Sequence, residues 1–390
     1  MANKEIMTIN MGPQHPSTHG VLRLVIELDG ETITKVDPDI GYLHRGVEKL
    51  SEYRTYHQAL PLTDRLDYLA PMSNNLGYIL TVEKLLGIEV PERAKTIRVI
   101  MAELARLQSH LVWIACHALD IGAMTVFLYA FREREAVMEI YEQISGARMT
   151  ANFFRAGGLS MDVPADFEKR VADFVDSMPG YLDVYEGLLT NNPIWRKRTI
   201  GNGVISAEDA TDIGITGPAL RGSGVDFDLR RDIPYAGYED YQFEVPTGEN
   251  CDTFDRYKVR LVEMRESCKI IKQALSRLKP GPVLADDPQV CYPPKDSVYN
   301  SIEGLIHHFK IASEGYPVPE GEAYVGIEAP KGELGYYIVS EGGAKPYRMR
   351  IRPPSFVNLQ AIEKMSKGTM IADLVAVIGT LDIVLGEIDR

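Results

Sequence analysis

From Gly46 to about Leu189 the apolar residues recur at helical spacing in one long segment after another, and this constrains the fold more than any other feature. Residues 47–60 and 66–86 carry the first two patterns. Pro91 is placed to open a third, since the first turn of a helix leaves its N–H groups unpaired and proline lacks one. Ile97, Ile100, Met101, Leu104, Leu107, Leu111 and Ile114 then form one apolar stripe, with Lys95, Arg98, Glu103, Arg106 and Ser109 largely off it. Further helices are expected over 124–144, about 166–189 and about 253–278. Stripes of this kind must be buried against one another, so the centre of the chain is a helical body.

Strand patterns flank that body. Leu22, Leu24, Ile26 and Leu28 alternate with Val21, Arg23, Val25 and Glu27, the period of a strand with one buried face, and Asp29-Gly30 suits a tight reversal into a second strand over 31–36. A second hairpin is expected at 324–327 and 333–339, with a further strand over 345–352. Between 199 and 250 glycines and prolines cluster without a clean period, as in GITGPALRGSGVDFD, which predicts loops and short strands. Helices near 357–367 and 370–385 close the chain. The expected class is α+β, mainly helical: an N-terminal loop and β-hairpin over 1–45, then a helical body over 46–390 with β insertions at about 199–250 and 320–352, all one continuous unit.

Charge and cysteine usage exclude several functions. With 42 basic and 55 acidic residues the net charge is -13, which opposes binding to nucleic acid or anionic lipid, so membrane contact is expected to run through partner proteins. The start MANKEIMTINMGPQHP lacks the pattern of a secretory signal, and the chain is expected to stay where it is made. The apolar stretch 371–385 is shorter than the ~20 residues of a spanning helix and carries Asp373 and Asp382, so it reads as a buried helix. Cys116, Cys251, Cys268 and Cys291 form no CxxC pair and read as reduced cysteines with no metal or cluster to hold.

Two constellations carry candidate chemistry. In the loop GPQHPSTHG, Pro13 and Pro16 oppose a helix, Gly12 and Gly20 permit unusual turns, and Ser17 and Thr18 can bond to the backbone. Such a loop can hold His15 or His19 out rigidly; a functional and a purely structural role both fit the residues. The polar knot DRLDY places Asp64, Arg65, Asp67 and Tyr68 at the expected start of an apolar helix. Asp64 there is an ordinary complement to the helix dipole, whereas a tyrosine can hydrogen-bond a carbonyl and hand over a proton as that oxygen gains charge. His110 and His117, two turns apart, read as satisfied polar groups of one helix. GPALRGSG lacks the Lys-Ser/Thr of a phosphate loop and GNGVIS lacks the third glycine of a dinucleotide fingerprint.

Taken together, GPQHPSTHGVLRL, IGYLHRGVEKL, LTDRLDY, HALDIGAMT, SGARM, TGPALRGSGVDFDLR, FDRYKVR, IEGLIHHFK, IEAPKGELG and MSKGTMIADLVAVIGTLDIVLGEIDR resemble the D-type, quinone-site subunit of the bacterial NADH:quinone oxidoreductases of respiratory complex I. The resemblance runs over nearly the whole chain. That family is related to the large subunit of nickel-iron hydrogenases, and it implies a hydrogenase-like helical fold. The two CxxC motifs that hold the hydrogenase metal are missing here, and without thiolates there is no soft site for nickel.

The resemblance implies that His19 and Tyr68 hydrogen-bond the quinone carbonyls, with Asp120 as the carboxylate paired with that histidine and His15 in a supporting role. Arg45 and Arg65 match arginines near the terminal iron-sulfur cluster, which belongs to the adjoining B-type subunit. Thr150 replaces a histidine that in many relatives ties that cluster's potential to pH. The implied function is quinone reduction to quinol within a proton-translocating complex, with quinone as substrate and the cluster and flavin in partner subunits. The implied partners are the B-type iron-sulfur subunit and the C-type subunit of the peripheral arm, together with the H-type membrane subunit. The implied place is the cytoplasmic face of the bacterial inner membrane, as a peripheral protein. A structural scaffold, or a subunit of a ferredoxin-fed relative, is the alternative. Ubiquinone and menaquinone are not distinguished by these residues.

Overall fold

Five long helices make the body in the computed structural model, which describes residues 6–390: α1 (Pro71–Leu86), α2 (Glu92–Asp120), α3 (Met124–Ser145), α4 (Phe167–Leu189) and α5 (Thr253–Arg277). The architecture is α+β and mainly helical, as expected. Helix α2 runs through the centre and is packed by α1, α3 and α5. Its stripe is buried as expected, but so are Arg98, Glu103, Arg106 and Ser109, which lie off the stripe. The helix is long and apolar enough to cross a bilayer, yet 94% of its most apolar window is buried inside the protein, so its composition is that of a core helix.

The sheets sit to either side. The N-terminal sheet is antiparallel, with β1 (Ile6–Met11), β2 (Arg23–Asp29) and β3 (Thr32–Asp39) in that order. Strand β1 was not anticipated, because it is an edge strand in which only Met11 is buried. The expected second strand extends beyond 36 through Pro38, which pairs with Leu24. A minimal hairpin joins β4 (Phe154–Arg155) to β5 (Gly158–Leu159). The third sheet contains β6 (Gly321–Ala329), β7 (Gly332–Ser340) and β8 (Arg348–Arg352), with Pro330 and Lys331 alone in the turn between β6 and β7.

Several boundaries depart from expectation for local reasons. The segment expected as one helix over 47–60 is two, Val47–Tyr53 and Tyr56–Thr63, because Thr55 and Gln58 form a capping box that starts the second. The next helix begins at Pro71 rather than 66, since the residue before a proline is driven out of the helical region and Ala70 has φ -132 and ψ 56. DRLDY is therefore a turn between two helices, not a first helical turn, and Asp64 ends the preceding helix. Residues 199–250 are largely loops, as expected, but the regular pieces among them are short helices such as Ala207–Ile213, Pro218–Arg221 and Leu229–Asp232 in place of the expected short strands. The helices Lys295–Asn300 and α6 (Ile302–Glu314) were likewise not anticipated.

Near the C-terminus the expected helix 357–367 is split into Pro354–Leu359 and Ile362–Ser366. The last long pattern gives α7 (Ile371–Leu381), ended by Asp382 at a left-handed φ of 52, and then Leu385–Asp389. Helix α7 packs on α2 and on the turn Pro16–Thr18. One apolar core lies within the helical body and its third sheet. A second joins β2 and β3 to Ile378, Leu381 and Ile388 of the C-terminal segment.

Candidate functional site

The histidine loop is built to hold its shape. Gly12 has φ 88, and a Cβ there would collide with the Leu22 carbonyl, which no side-chain rotation relieves. His15 caps the turn Pro16–Thr18, its Nδ1 accepting from the Ser17 N–H at 3.2 Å, while the Thr18 hydroxyl donates to the His15 carbonyl at 2.9 Å. His15 is thus exposed and used in local structure. His19 leaves the turn at φ 53, and its Nε2 is enclosed without a hydrogen-bond partner. Gly12→Ala is expected to displace the loop; limited proteolysis of the assembled complex should show faster cleavage within 12–22, and unchanged cleavage would contradict this account.

Tyr68 lies in the turn between the helices, next to Asp67, whose carboxylate accepts from the Leu69 N–H at 3.1 Å and whose carbonyl accepts from Asn74 at 3.1 Å. Into this turn the β6–β7 hairpin inserts its tip. Lys331 is completely buried, its Nζ 3.0 Å from Asp67 Oδ2, 3.9 Å from Asp382 Oδ2 and donating to Ser109 of α2 at 2.7 Å. Burial disfavours that charge, but Asp382, Asp67 and Glu387 outweigh it and hold the ammonium above its usual range.

Lys331 acts on both candidate donors. Burial, then the Lys331 charge, lowers His19 to about 4, so its imidazole is neutral at neutral pH. Burial, then Asp67, raises Tyr68, with Lys331 opposing both. Burial also raises Asp382 to about 6 against the pull of Lys331 and Arg260, and burial with Asp67 raises Glu387. Sequence reasoning did not single out Lys331. A lysine at a Pro-Lys-Gly hairpin tip reads as solvent-exposed, and only the insertion of the tip into the core reveals its place.

Asp120, the last residue of α2, is brought to the histidine loop, but its side-chain hydrogen bond goes to Ser17 and the charge it senses is His15. The structure does not join it to His19, whose Nε2 has no partner. Burial raises the Asp120 carboxyl, and Ser17 and His15 oppose that rise. One helical turn earlier, Cys116 is pushed up to about 11 by burial and then by Asp120 and Asp382. Among the described residues no three His, Cys, Asp or Glu side chains are grouped to hold a metal ion.

Arg45 ties the site together, donating to the Arg65 carbonyl at 3.0 Å and the Gly386 carbonyl at 2.8 Å. Arg65 is half-exposed and donates to the Pro61 carbonyl at 2.6 Å and to Asp64 at 3.0 Å. Asp389 accepts from Gly41 N–H at 2.9 Å and Leu43 N–H at 2.7 Å, so the C-terminal segment is stitched to the stretch after β3. Thr150 is partly exposed, beyond the end of α3.

The sequence pattern of the family described as the 49 Kd subunit of respiratory-chain NADH dehydrogenase matches residues 120–390. Over the full length of both chains, the protein is 87% identical to the D-type subunit of the NADH-quinone oxidoreductase of Trichlorobacter lovleyi. The chain belongs to the family of D-type subunits of NADH-quinone oxidoreductase. It is 80% identical to the D-type subunit of Geobacter sulfurreducens over the whole of both chains, and 57% identical to the D-type subunit numbered 2 of Chloroflexus aurantiacus over 99% of this chain and 95% of that one. The family pattern begins at Asp120, so only the full-length relatives span the loop of His19 and the turn of Tyr68.

Within this D-type subunit the glycines of GPALRGSG serve close packing. Gly217 lies against Gly332, so a Cβ there would strike the backbone beside Lys331. Arg221 of the same segment is buried in a charge cluster, 2.8 Å from Glu263 and 2.7 Å from Glu328. Glu103 of α2 joins it through Arg230 at 3.2 Å, and His110 through Glu263 at 3.1 Å. The off-stripe charges of α2 were the sequence signal of this network. His110 meets the expectation of a partnered core histidine through Glu263, and His117 is buried against Trp113 and Trp195, its proton affinity lowered by burial and by the Arg260 and Arg256 charges.

Proposed function

We propose that the loop of His19 and the turn of Tyr68 form one side of a quinone head-group pocket, where a quinone takes two electrons and two protons to become a quinol. The observation that carries this reading is the enclosed, unpartnered Nε2 of His19 beside a buried cation that also acts on Tyr68. A carbonyl oxygen can satisfy both a phenol O–H and an imidazole N–H. As electrons arrive, negative charge on the quinone oxygens offsets the Lys331 ammonium. The proton affinity of His19 then rises, so that it takes up a proton from solvent and passes it to one reduced oxygen, while the phenol of Tyr68 gives its proton to the other and is reprotonated from solvent. The depressed resting state of His19 makes it a neutral hydrogen-bond donor until that charge appears.

The electrons come, in this reading, from an iron-sulfur cluster in an adjoining subunit, near Arg45 and Arg65, with flavin further away in another. The largest cavity described, about 890 Å³, has neither His19 nor Tyr68 in its wall. This is consistent with a head-group pocket completed by a neighbouring subunit. The B-type, C-type and H-type subunits are the proposed neighbours, with the complex at the cytoplasmic face of the bacterial inner membrane. Asp120 acts through Ser17 and His15, as a positioning residue of the loop. Thr150 cannot titrate, so no pH coupling of the cluster runs through it. A photoreactive quinone analogue added to the purified complex should label peptides within 12–20 or 64–70. Labelling confined to other subunits would favour a scaffold role for this chain.

A further inference from the structure

We propose that the 890 Å³ cavity beside the β4–β5 hairpin seats an apolar segment of a partner subunit that carries a carboxylate. Its wall is formed by the helix Tyr56–Thr63, the β4–β5 hairpin, the stretch from 283 to 299 and α6. The chain is strongly acidic, with 55 acidic against 42 basic residues. The cavity reverses that balance: the cations Arg155 and Lys295 line it, and among the described residues no Asp or Glu does.

Arg155 is the focus of the argument. Its guanidinium donates to Asn152 Oδ1 at 2.6 Å and to the Phe154 carbonyl at 2.7 Å, both neutral acceptors. Among the described residues it makes no ion pair, and burial lowers its proton affinity. Two buried arginines are neutralised by a carboxylate within the chain, Arg98 by Glu83 at 2.6 Å and Arg230 by Asp228 at 2.6 Å; Arg256, like Arg155, meets only neutral acceptors, but it lies in the core and lines no described cavity. A partly desolvated guanidinium at the wall of an apolar cavity is complementary to a carboxylate, which it can meet with two parallel N–H bonds.

The apolar surface continues outside the cavity. Ile302, Leu305, Ile306 and Phe309 are spaced to share one face of α6, and they are 68%, 53%, 51% and 66% exposed. Leu305 and Tyr299, the latter 82% exposed, belong to both the cavity wall and this outer surface. A small anion filling the cavity would leave that stripe in water, whereas a polypeptide segment covers both. The overall net charge of -13 disfavours an anionic bilayer as the occupant. The relatives are named as one subunit of a multi-subunit oxidoreductase, so partner chains exist to fill the site. This inference rests on family membership and not on the quinone reading.

The test uses the assembled complex with a photoreactive benzoylphenylalanine at Val298, an uncharged residue of the cavity wall. Irradiation should cross-link it to a segment of another subunit with apolar residues beside an Asp or Glu. Cross-links only within this chain, only to lipid, or to a segment without an acidic residue overturn the proposal, as does the absence of any cross-link. In parallel, Arg155→Glu should reduce co-purification of the cross-linked subunit by about tenfold or more, Arg155→Lys should retain most of it, and reversing the partner's carboxylate to lysine should restore the Arg155→Glu complex. Undiminished co-purification of Arg155→Glu with that subunit would sink the idea, and the cross-linking result stands even if this variant fails to fold.

Discussion

Replacing Tyr68 by Phe in the assembled complex is expected to lower NADH-driven quinone reduction by about 10²-fold or more, the usual contribution of a positioned proton donor. His19→Ala should do the same. Both variants should keep NADH oxidation by an artificial acceptor, since in the proposed reading that reaction draws electrons before they reach this subunit. The two substitutions remove different things. Tyr68→Phe deletes one hydroxyl from a half-buried ring and leaves the Asp67–Lys331 pair in place. His19→Ala removes the enclosed Nε2 but keeps the turn, whose hydrogen bonds are made by His15, Ser17 and Thr18. If the two residues serve one quinone, the double variant should be little worse than either single one, because groups that act as a unit are strongly non-additive. Multiplicative losses in the double variant, or normal quinone turnover in either single one, would remove the proposed roles.

How much of this was legible beforehand depended on whether the signal was local. The strand alternation of residues 22–28, the rigid loop around His15 and His19 and the stripe of α2 are set by neighbours in sequence, and the structure agrees with them. Helix breaks were legible only in part: Pro71 and Thr55 carry the signal that ends one helix and starts another, but it is masked by apolar spacing that continues across both. The pairing expected between Asp120 and His19 came from resemblance alone. The structure places Asp120 against Ser17 and His15, a contact set by where α2 ends relative to the loop. Lys331 was illegible, because its burial depends on a hairpin tip meeting residues more than two hundred positions earlier, Ser109 and Asp67. The same holds for Glu263 and Glu328, whose partners are brought together only by the tertiary fold.

Lys331→Met is expected to produce the second large effect, and its pH dependence distinguishes electrostatics from packing. Removing one partner from a buried ion pair costs about 3–5 kcal/mol at neutral pH, because Asp67 and Asp382 lose the cation that faces them. Asp382 already has its affinity raised from 3.8 to about 6 by burial, and without Lys331 it should rise further. A carboxyl raised in the folded state contributes stability that is present below its unfolded value and lost as pH rises through its folded one. The penalty of the variant should therefore be smallest near pH 5 and grow toward pH 8. His19 adds in the same direction: its depression to about 4 costs stability as pH falls through the range from 6.5 to 4, and loss of Lys331 relieves part of that cost. Lys331→Arg keeps the charge and should keep the wild-type profile. The measurement is thermal inactivation of the complex from pH 5 to 8; parallel profiles for wild type and Lys331→Met would show that the methionine perturbs packing alone. Because the same ammonium lowers the proton affinities of Tyr68 and His19, quinone reduction in the variant should also fall, with a pH profile displaced upward, a displacement that a simple packing defect does not produce.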